Sequence, residues 1–169
     1  STVVVTGCAA QVDTEKVSVP GADLVIANSH KGQIENLIED YFKGKLKQKI
    51  FHSNIFKKED LEVGGGIESS HTRAFLKIQD GCNSFCTYCV IPFARGKSRS
   101  IPIPALVDKV QELYDSGVRE VVLTGVHIGD YASSKSNLDI LAAARGRKSP
   151  EKFYYLEDLV EQVLTKTKM

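Results

Sequence analysis

Arg73–Cys89 reads RAFLKIQDGCNSFCTYC, an alternating apolar run that leads directly into three closely spaced cysteines. The alternation over Arg73–Gln79 predicts a β-strand, and the segment from Gly81 to about Ser100 is predicted to be a loop. Apolar residues at helical spacing then predict a helix over Ala105–Ser116, and Val118–Thr124 (VREVVLT) predicts the next strand. This strand–loop–helix–strand order predicts two parallel strands joined by a right-handed crossover.

A second α/β pattern lies nearer the N-terminus. Apolar, β-branched runs predict buried strands at Thr2–Thr6 and Asp23–Ala27. The segment from Cys8 to about Lys16 predicts a short helix, and the spacing of apolar residues predicts another over Lys31–Phe42. Lys43–Lys58 is rich in lysine and weakly periodic, which favours a solvated connector. Two strands are few for an independent core, so we expect this domain to include residues beyond the chain.

The predicted fold class is α/β, divided into two domains. The first domain is predicted over residues 1–60 and the second over residues 72–169. Between them, residues 61–71 include three consecutive glycines, Gly64–Gly66, which are typical of a flexible linker.

The C-terminal part of the chain carries a polar and basic stretch, Tyr131–Pro150, that predicts an excursion on the surface. Its Arg145–Lys148 cluster favours a solvated loop over an RNA contact. After this stretch, apolar residues at helical spacing predict an amphipathic helix over Leu156–Lys168.

The charge and hydropathy of the chain exclude several classes of protein. Its 169 residues include 22 Lys plus Arg and 21 Asp plus Glu, a formal net charge of +1. Such a chain has no overall field that attracts nucleic acid, so binding of that kind must be local. No apolar run approaches the ~20 residues of a membrane helix, and Ser1–Gly7 does not resemble a signal peptide. We therefore expect a cytoplasmic protein without membrane association. Because the only methionine is Met169, we also expect the chain to be a piece of a longer one.

The cysteines carry the chemistry. Cys82, Cys86 and Cys89 have the spacing C-x3-C-x2-C, whereas Cys8 stands alone. In a cytoplasmic protein, a tight cluster indicates metal or redox chemistry rather than disulfides. Three thiolates favour a 4Fe–4S cluster whose fourth iron is open to a small molecule. Zinc is the competing metal, because His71 could complete a tetrahedral set, although no second cysteine pair is present.

Three segments of this region together resemble the radical S-adenosylmethionine (SAM) methylthiotransferases. They are Lys77–Cys82 (KIQDGC), Cys89–Gly96 (CVIPFARG) and Ser98–Ser100 (SRS). The resemblance implies the first units of a partial (β/α) barrel, preceded by part of the methylthiotransferase N-terminal α/β domain. It also implies that the three loop cysteines hold the 4Fe–4S cluster and that Tyr88 lies beside the adenosyl group of SAM; simple packing of this ring is the alternative.

Two further matches narrow the branch of the family. Val5–Gln11 (VTGCAAQ) resembles a cysteine motif of the N-terminal domain, which implies that Cys8 binds a second, auxiliary 4Fe–4S cluster. Without the family, a lone cysteine at a strand end would be inert core. Leu123–Tyr131 (LTGVHIGDY) resembles the branch that acts on N6-threonylcarbamoyladenosine beside the tRNA anticodon. At this point the isopentenyladenosine branch usually has Gly-Gln-Asn, and the ribosomal-protein branch Gln-Asp-Thr.

The end of the strand at Thr124 is a candidate cofactor site, because barrel enzymes collect function at the C-terminal ends of their strands. Thr124 and Gly125 are predicted to contact the cofactor, since a glycine lets the backbone approach its methionine part closely. For His127, hydrogen-bonded packing is favoured over a role as catalytic base. We assign no catalytic residue.

The resemblance implies that SAM-derived radical chemistry removes hydrogen from carbon 2 of the adenine, where a methylthio group from the auxiliary cluster is installed. The partners would be tRNA and an electron donor. An auxiliary cluster needs three cysteines and Cys8 is one, so this chain alone is predicted to be inactive. The alternatives are a methylthiotransferase acting on isopentenyladenosine in tRNA or on a ribosomal-protein aspartate, a non-enzymatic zinc-binding module, and a truncated product without activity.

Overall fold

The computed structural model describes residues 1–17, 20–58, 61, 73–133 and 153–169. The chain forms two compact units, the first comprising Ser1–Lys58 and Asn83–Lys97 and the second comprising Glu59–Cys82 and Ser98–Met169. Both contain parallel strands and helices, so the α/β class is confirmed. Residues 83–97, which the predicted division places in the second domain, pack with the first unit. The predicted linker, apart from Leu61, lies outside the described residues.

The first unit is built on a three-stranded parallel sheet. Its strands are β1 (Val4–Gly7), β2 (Leu24–Ala27) and β3 (Ile50–Phe51), and β2 lies in the middle. All four residues of β2 are buried, as its unbroken apolar run predicts. The prediction of a solvated connector is wrong at β3, which pairs with β2 and buries Phe51. Burial of the Phe51 ring removes apolar surface from water, which favours the pairing of this segment with β2.

The described residues of the first unit also form short helices. They are α1 (Cys8–Val12), α2 (Thr14–Val17), α3 (Ile34–Phe42) and α4 (Ile91–Arg95), with 3-10 turns at Asn28–Gln33 and Ile55–Lys57. The helix predicted from Cys8 to Lys16 is therefore interrupted at Asp13, and the one predicted from Lys31 begins with a 3-10 turn. Leu37 of α3 packs against the sheet residues Leu24, Ile26 and Phe51.

The second unit contains the parallel pair that its sequence predicts. Strand β4 (Arg73–Lys77) pairs with β7 (Glu120–Thr124) from Arg73 opposite Glu120 to Lys77 opposite Thr124. Because β4 and β7 are parallel and end opposite each other, the segments that follow them leave the sheet next to each other. Two short antiparallel pairs join β5 (Gln79–Asp80) to β6 (Arg99–Ser100) and β8 (Ala132–Ser133) to β9 (Tyr154–Tyr155).

The described residues of the second unit also form the helices α5 (Ile103–Asp115) and α6 (Leu156–Lys166). Its core joins β4, α5 and α6 through the buried residues Leu76, Ile78, Ile101, Ile103, Leu106, Val107, Val110, Tyr131 and Leu159. The surface excursion predicted from Tyr131 is wrong at its first residue, since Tyr131 is 1% exposed and its hydroxyl donates to the Ile101 carbonyl over 2.8 Å. The part of this stretch beyond Ser133, including Arg145–Lys148, lies outside the described residues.

Membrane crossing finds no support among the described helices. The longest of them, α5, has 13 residues. None combines the length and the apolar character that spanning a bilayer requires.

Candidate functional site

The three cysteines of the loop offer accessible thiols. None of them forms a disulfide; Cys86 is exposed, and Cys82 and Cys89 are partly exposed. The segment between Cys82 and Cys89 forms neither helix nor strand. Within it, the Cys89 amide donates to the Cys86 carbonyl over 2.9 Å, which closes a turn between these two residues. Accessible thiols can ionise and bind a metal, so this donor set fits an iron–sulfur cluster or another thiophilic metal.

Tyr88 stands between the last two loop cysteines and is 90% exposed. The alternative that its ring serves simple packing is therefore wrong. A contact between Tyr88 and an adenosyl group stays a prediction.

Gln79, which precedes the loop, is a buried hydrogen-bonding centre that the sequence analysis missed. Its side chain is fully buried, and its Oε1 accepts from the Val126 and His127 amides, each over 3.0 Å. Its Nε2 donates to the Gly81 carbonyl over 2.7 Å and to the Ser98 hydroxyl over 2.8 Å. One amide group thus connects Gly81, which precedes Cys82, with Ser98, which follows α4, and with the chain that follows β7.

Thr124 and Gly125, the residues predicted to contact a cofactor, have structural roles of their own. The Thr124 hydroxyl donates to the Leu76 carbonyl of the neighbouring strand over 3.3 Å. A Cβ atom at Gly125 would lie 2.9 Å from the Gln79 Oε1 and 3.2 Å from the Gln79 Cβ. The close packing against Gln79 explains why a glycine stands at position 125. The expected contact of Gly125 with a cofactor stays a prediction.

Substituting Gly125→Ala should therefore destabilise the protein by about 1–3 kcal/mol, because Gln79 is held by its hydrogen bonds and cannot retreat. Gly129→Ala is the matched control, since its Cβ would have its nearest neighbour at 4.0 Å. Urea unfolding of both variants measures the difference. Equal stabilities for the two variants would contradict the proposed close packing.

His127 lies beside an acidic residue and a cysteine. Its Nδ1 is 2.9 Å from the Asp130 Oδ2, and the side chains are about half and one-third exposed. The ligand atoms of Cys82, His127 and Asp130 all lie within 4.8 Å of one another. His127 thus has the polar partner that the packing interpretation requires, but a thiol, an imidazole and a carboxylate together can also bind a metal.

Cys8 is the first residue of α1 and is partly exposed. The Asn28 Nδ2 lies 3.6 Å from the Cys8 Sγ and 2.8 Å from the Ala94 carbonyl of α4. Because an amide nitrogen carries two hydrogens, Asn28 can donate to both at once. Cys8 is therefore connected through Asn28, within the first unit, to the helix that follows the three loop cysteines. Its part in an auxiliary cluster stays a prediction.

The region from Leu76 into α6 matches a known protein family. Residues 76–162, which are just over half of the chain, match the family model for the radical SAM superfamily. The chain belongs to the radical SAM superfamily. Membership implies a 4Fe–4S cluster and SAM as cofactors, and the three accessible thiols are chemically suited to the cluster.

The similarity to individual proteins covers more of the chain than the radical SAM match does. The chain is 39% identical over 134 residues to a threonylcarbamoyladenosine tRNA methylthiotransferase of Aquifex aeolicus, covering 79% of this chain and 33% of that protein. A protein of the same name from Bacillus subtilis is 42% identical over 132 residues, with 75% and 28% covered. A tRNA-2-methylthio-N(6)-dimethylallyladenosine synthase of Thermodesulfovibrio yellowstonii is 32% identical over 145 residues, with 82% and 32% covered. The chain spans about a third of the length of these curated relatives.

Proposed function

We propose that this chain carries the cluster-binding loop of a methylthiotransferase that adds a 2-methylthio group to N6-threonylcarbamoyladenosine next to the tRNA anticodon. The observation that carries the proposal is the set of three accessible loop cysteines in a radical SAM chain. The names of the relatives from Aquifex aeolicus and Bacillus subtilis support the choice of nucleoside. In this proposal the protein works in the cytoplasm and receives electrons from an electron donor.

The finer architecture follows from the same proposal. Residues 1–60 are the C-terminal part of the methylthiotransferase N-terminal domain, and residues 72–169 are the first units of the radical SAM partial (β/α) barrel. The parallel pair of β4 and β7, with α5 between them in the chain, supports the second assignment because it is one strand–helix–strand unit.

Each residue of the site then has a task. Cys82, Cys86 and Cys89 would hold the cluster. When bound, the cluster and SAM would supply one-electron radical chemistry for the reaction at the substrate. The exposed ring of Tyr88 lies against the adenosyl group, and Gln79 holds Gly81 and Ser98, which flank the segment that contains the three cysteines and α4.

The auxiliary cluster does not fit this chain alone. It needs three cysteines, and outside the loop the 169 residues contain only Cys8. We therefore propose that Cys8 is one of its ligands in a longer polypeptide, and that the 169 residues by themselves do not transfer a methylthio group.

A chimera tests the proposed function. Residues of this chain replace the aligned segment of the Bacillus subtilis relative, and the chimera is expressed in a strain that lacks that relative. Nucleosides from its tRNA are then separated and identified by mass. We expect 2-methylthio-N6-threonylcarbamoyladenosine to reappear. The isopentenyl derivative, or a modified ribosomal-protein aspartate, would instead favour the other branches, and no modification at all would contradict the proposal.

A zinc-binding module is the second candidate function, because Cys82, His127 and Asp130 bring three ligand types together. Zinc accepts such a set with water as the fourth ligand. The predicted zinc ligand His71 lies outside the described residues. This candidate uses one loop cysteine, whereas the cluster uses three, and this difference allows an experiment to separate them.

A further inference from the structure

Three phenylalanine rings form an exposed cluster in the first unit. Phe56 and Phe85 are stacked, with ring centroids 6.0 Å apart and planes inclined by 20°. Phe93 meets both of them edge to face, at 6.0 Å from Phe56 and 6.1 Å from Phe85. Phe85 is 49% exposed and Phe93 is 54% exposed. We call these three residues the phenylalanine cluster; its outer two rings keep about half of their surface open to a partner.

The backbone at Phe85 is strained. Its φ of +47° makes it the one non-glycine residue with positive φ in the described part of the chain. A bulky side chain in this region costs free energy, and such residues concentrate at functional sites. About half of the Phe85 side chain is exposed, so burial of the ring does not offset the free energy of this backbone conformation. A glycine or asparagine would make the same turn more cheaply.

The charge of the first unit suggests a polyanionic partner. This unit has ten Lys and Arg and six Asp and Glu, whereas the second unit has twelve and fifteen, so the near-neutral total hides a positive unit of net charge +4. The segment Lys43–Lys58 contains six lysines and no acidic residue. Lys57 follows Phe56 directly, and Arg95 and Lys97 follow Phe93 closely in the sequence. Local positive charge of this kind attracts a phosphate backbone.

We propose that Phe85 and Phe93, supported by Phe56, form a surface on which an unpaired base of single-stranded RNA stacks. Exposed aromatic rings within a positive surface are the arrangement by which proteins bind single-stranded nucleic acid, since every base has a flat face. The inference rests on the proposed function, because a base beside the anticodon must leave its stack before its carbon 2 can react.

The purified 169-residue chain, which contains no tryptophan, allows a direct test. Phe93→Trp introduces the only tryptophan, whose fluorescence can be excited separately from that of the tyrosines, and the probe is an RNA hairpin with an unpaired loop. We expect the hairpin to quench this fluorescence, and a blunt RNA duplex with the same number of phosphates to leave it unchanged. In the otherwise unaltered chain, Phe93→Leu and Phe85→Leu should each weaken hairpin binding about 10-fold, because leucine keeps the apolar bulk and loses the stacking face.

Phe42→Leu is the matched control. Phe42 belongs to the same unit, is 69% exposed and pairs edge to face with Tyr41. We expect its substitution to change hairpin binding less than twofold. Circular dichroism of each variant checks that the fold is retained, and Phe93→Trp keeps the proposal testable if a leucine variant unfolds.

Several outcomes would overturn the stacking surface. Three of them concern RNA: no hairpin binding at low salt, equal binding of hairpin and duplex, or equal losses of hairpin affinity for Phe42→Leu and Phe93→Leu. The fourth is quenching by SAM in competition with the hairpin, which would assign the rings to the cofactor. The chimera separates this failure from that of the proposed function. Modified tRNA from a chimera whose Phe93→Trp probe is not quenched overturns the surface alone, whereas quenching without modification overturns the proposed function alone.

Discussion

Substituting Cys86→Ala in the full chain should abolish assembly of the iron–sulfur cluster. Wild-type protein reconstituted with iron and sulfide without oxygen should hold about four irons and be brown. The variant should hold almost none, because two remaining thiolates cannot retain a cube that needs three. Iron analysis, visible absorption and electron paramagnetic resonance of the reduced sample measure the difference. In the chimera, the same substitution should lower SAM cleavage by at least ~1000-fold, since without the cluster no electron reaches the sulfonium.

Cys8→Ala is the matched control for this experiment. It removes a partly exposed thiol of the same chemistry, but one that is outside the loop. We expect the isolated chain with Cys8→Ala to load the same iron as the wild type. A Cys86→Ala protein that remained brown with its full iron would refute the assignment of the loop.

Cys86→Ala also distinguishes the iron site from the zinc candidate. A zinc ion on Cys82, His127 and Asp130 does not need Cys86, so zinc binding should survive Cys86→Ala if that candidate is right. His127→Ala should then remove zinc and leave iron loading intact. Colourless wild-type protein that retained one zinc per chain after anaerobic purification would favour the zinc module.

Short stretches of sequence predicted the cysteine ligand set and the buried strands, because each of these depends on neighbouring residues alone. The spacing of Cys82, Cys86 and Cys89 names a donor set without any knowledge of the fold, because eight residues contain all three thiols. Unbroken apolar runs likewise predict the strands that occupy the middle of a sheet, as β2 does. The radical SAM match over residues 76–162 confirms the family that these patterns indicated.

Features that depend on distant partners were not readable. The two-residue strand at Ile50–Phe51 lies inside a lysine-rich segment, and only its pairing with β2 reveals it. The three rings of the phenylalanine cluster come from two separate stretches of the chain, and their contact follows from the way in which α4 packs within the first unit. Gln79 looks like an ordinary polar residue at a strand end, since the amides that it binds lie 47 and 48 residues further along.

Substituting Gln79→Leu should destabilise the protein by about 3 kcal/mol, because it leaves the Val126 and His127 amides, the Gly81 carbonyl and the Ser98 hydroxyl without their buried partner. Urea unfolding gives the free energy. Hydrogen exchange adds a local readout, in which the Val126 and His127 amides should exchange at least ~10-fold faster. Gln111→Leu is the control: the Gln111 bonds to Asp115 and Lys168 are at the surface, and its loss should cost no more than about 0.5 kcal/mol.

Gln79→Glu turns the same position into a pH-dependent one. Its carboxylate can still accept from the Val126 and His127 amides but cannot donate to the Gly81 carbonyl or Ser98, and burial should raise its pKa above the ordinary value of about 4.3. The folded protein then binds more protons than the unfolded one between these two pKa values, so stability falls as the pH rises through that interval. Relative to Gln79→Leu, the Glu variant should therefore be most stable near pH 4 and lose that advantage towards pH 8. A flat difference between the two variants across this range would show that residue 79 is not enclosed by the carbonyls and amides that the structure places around it.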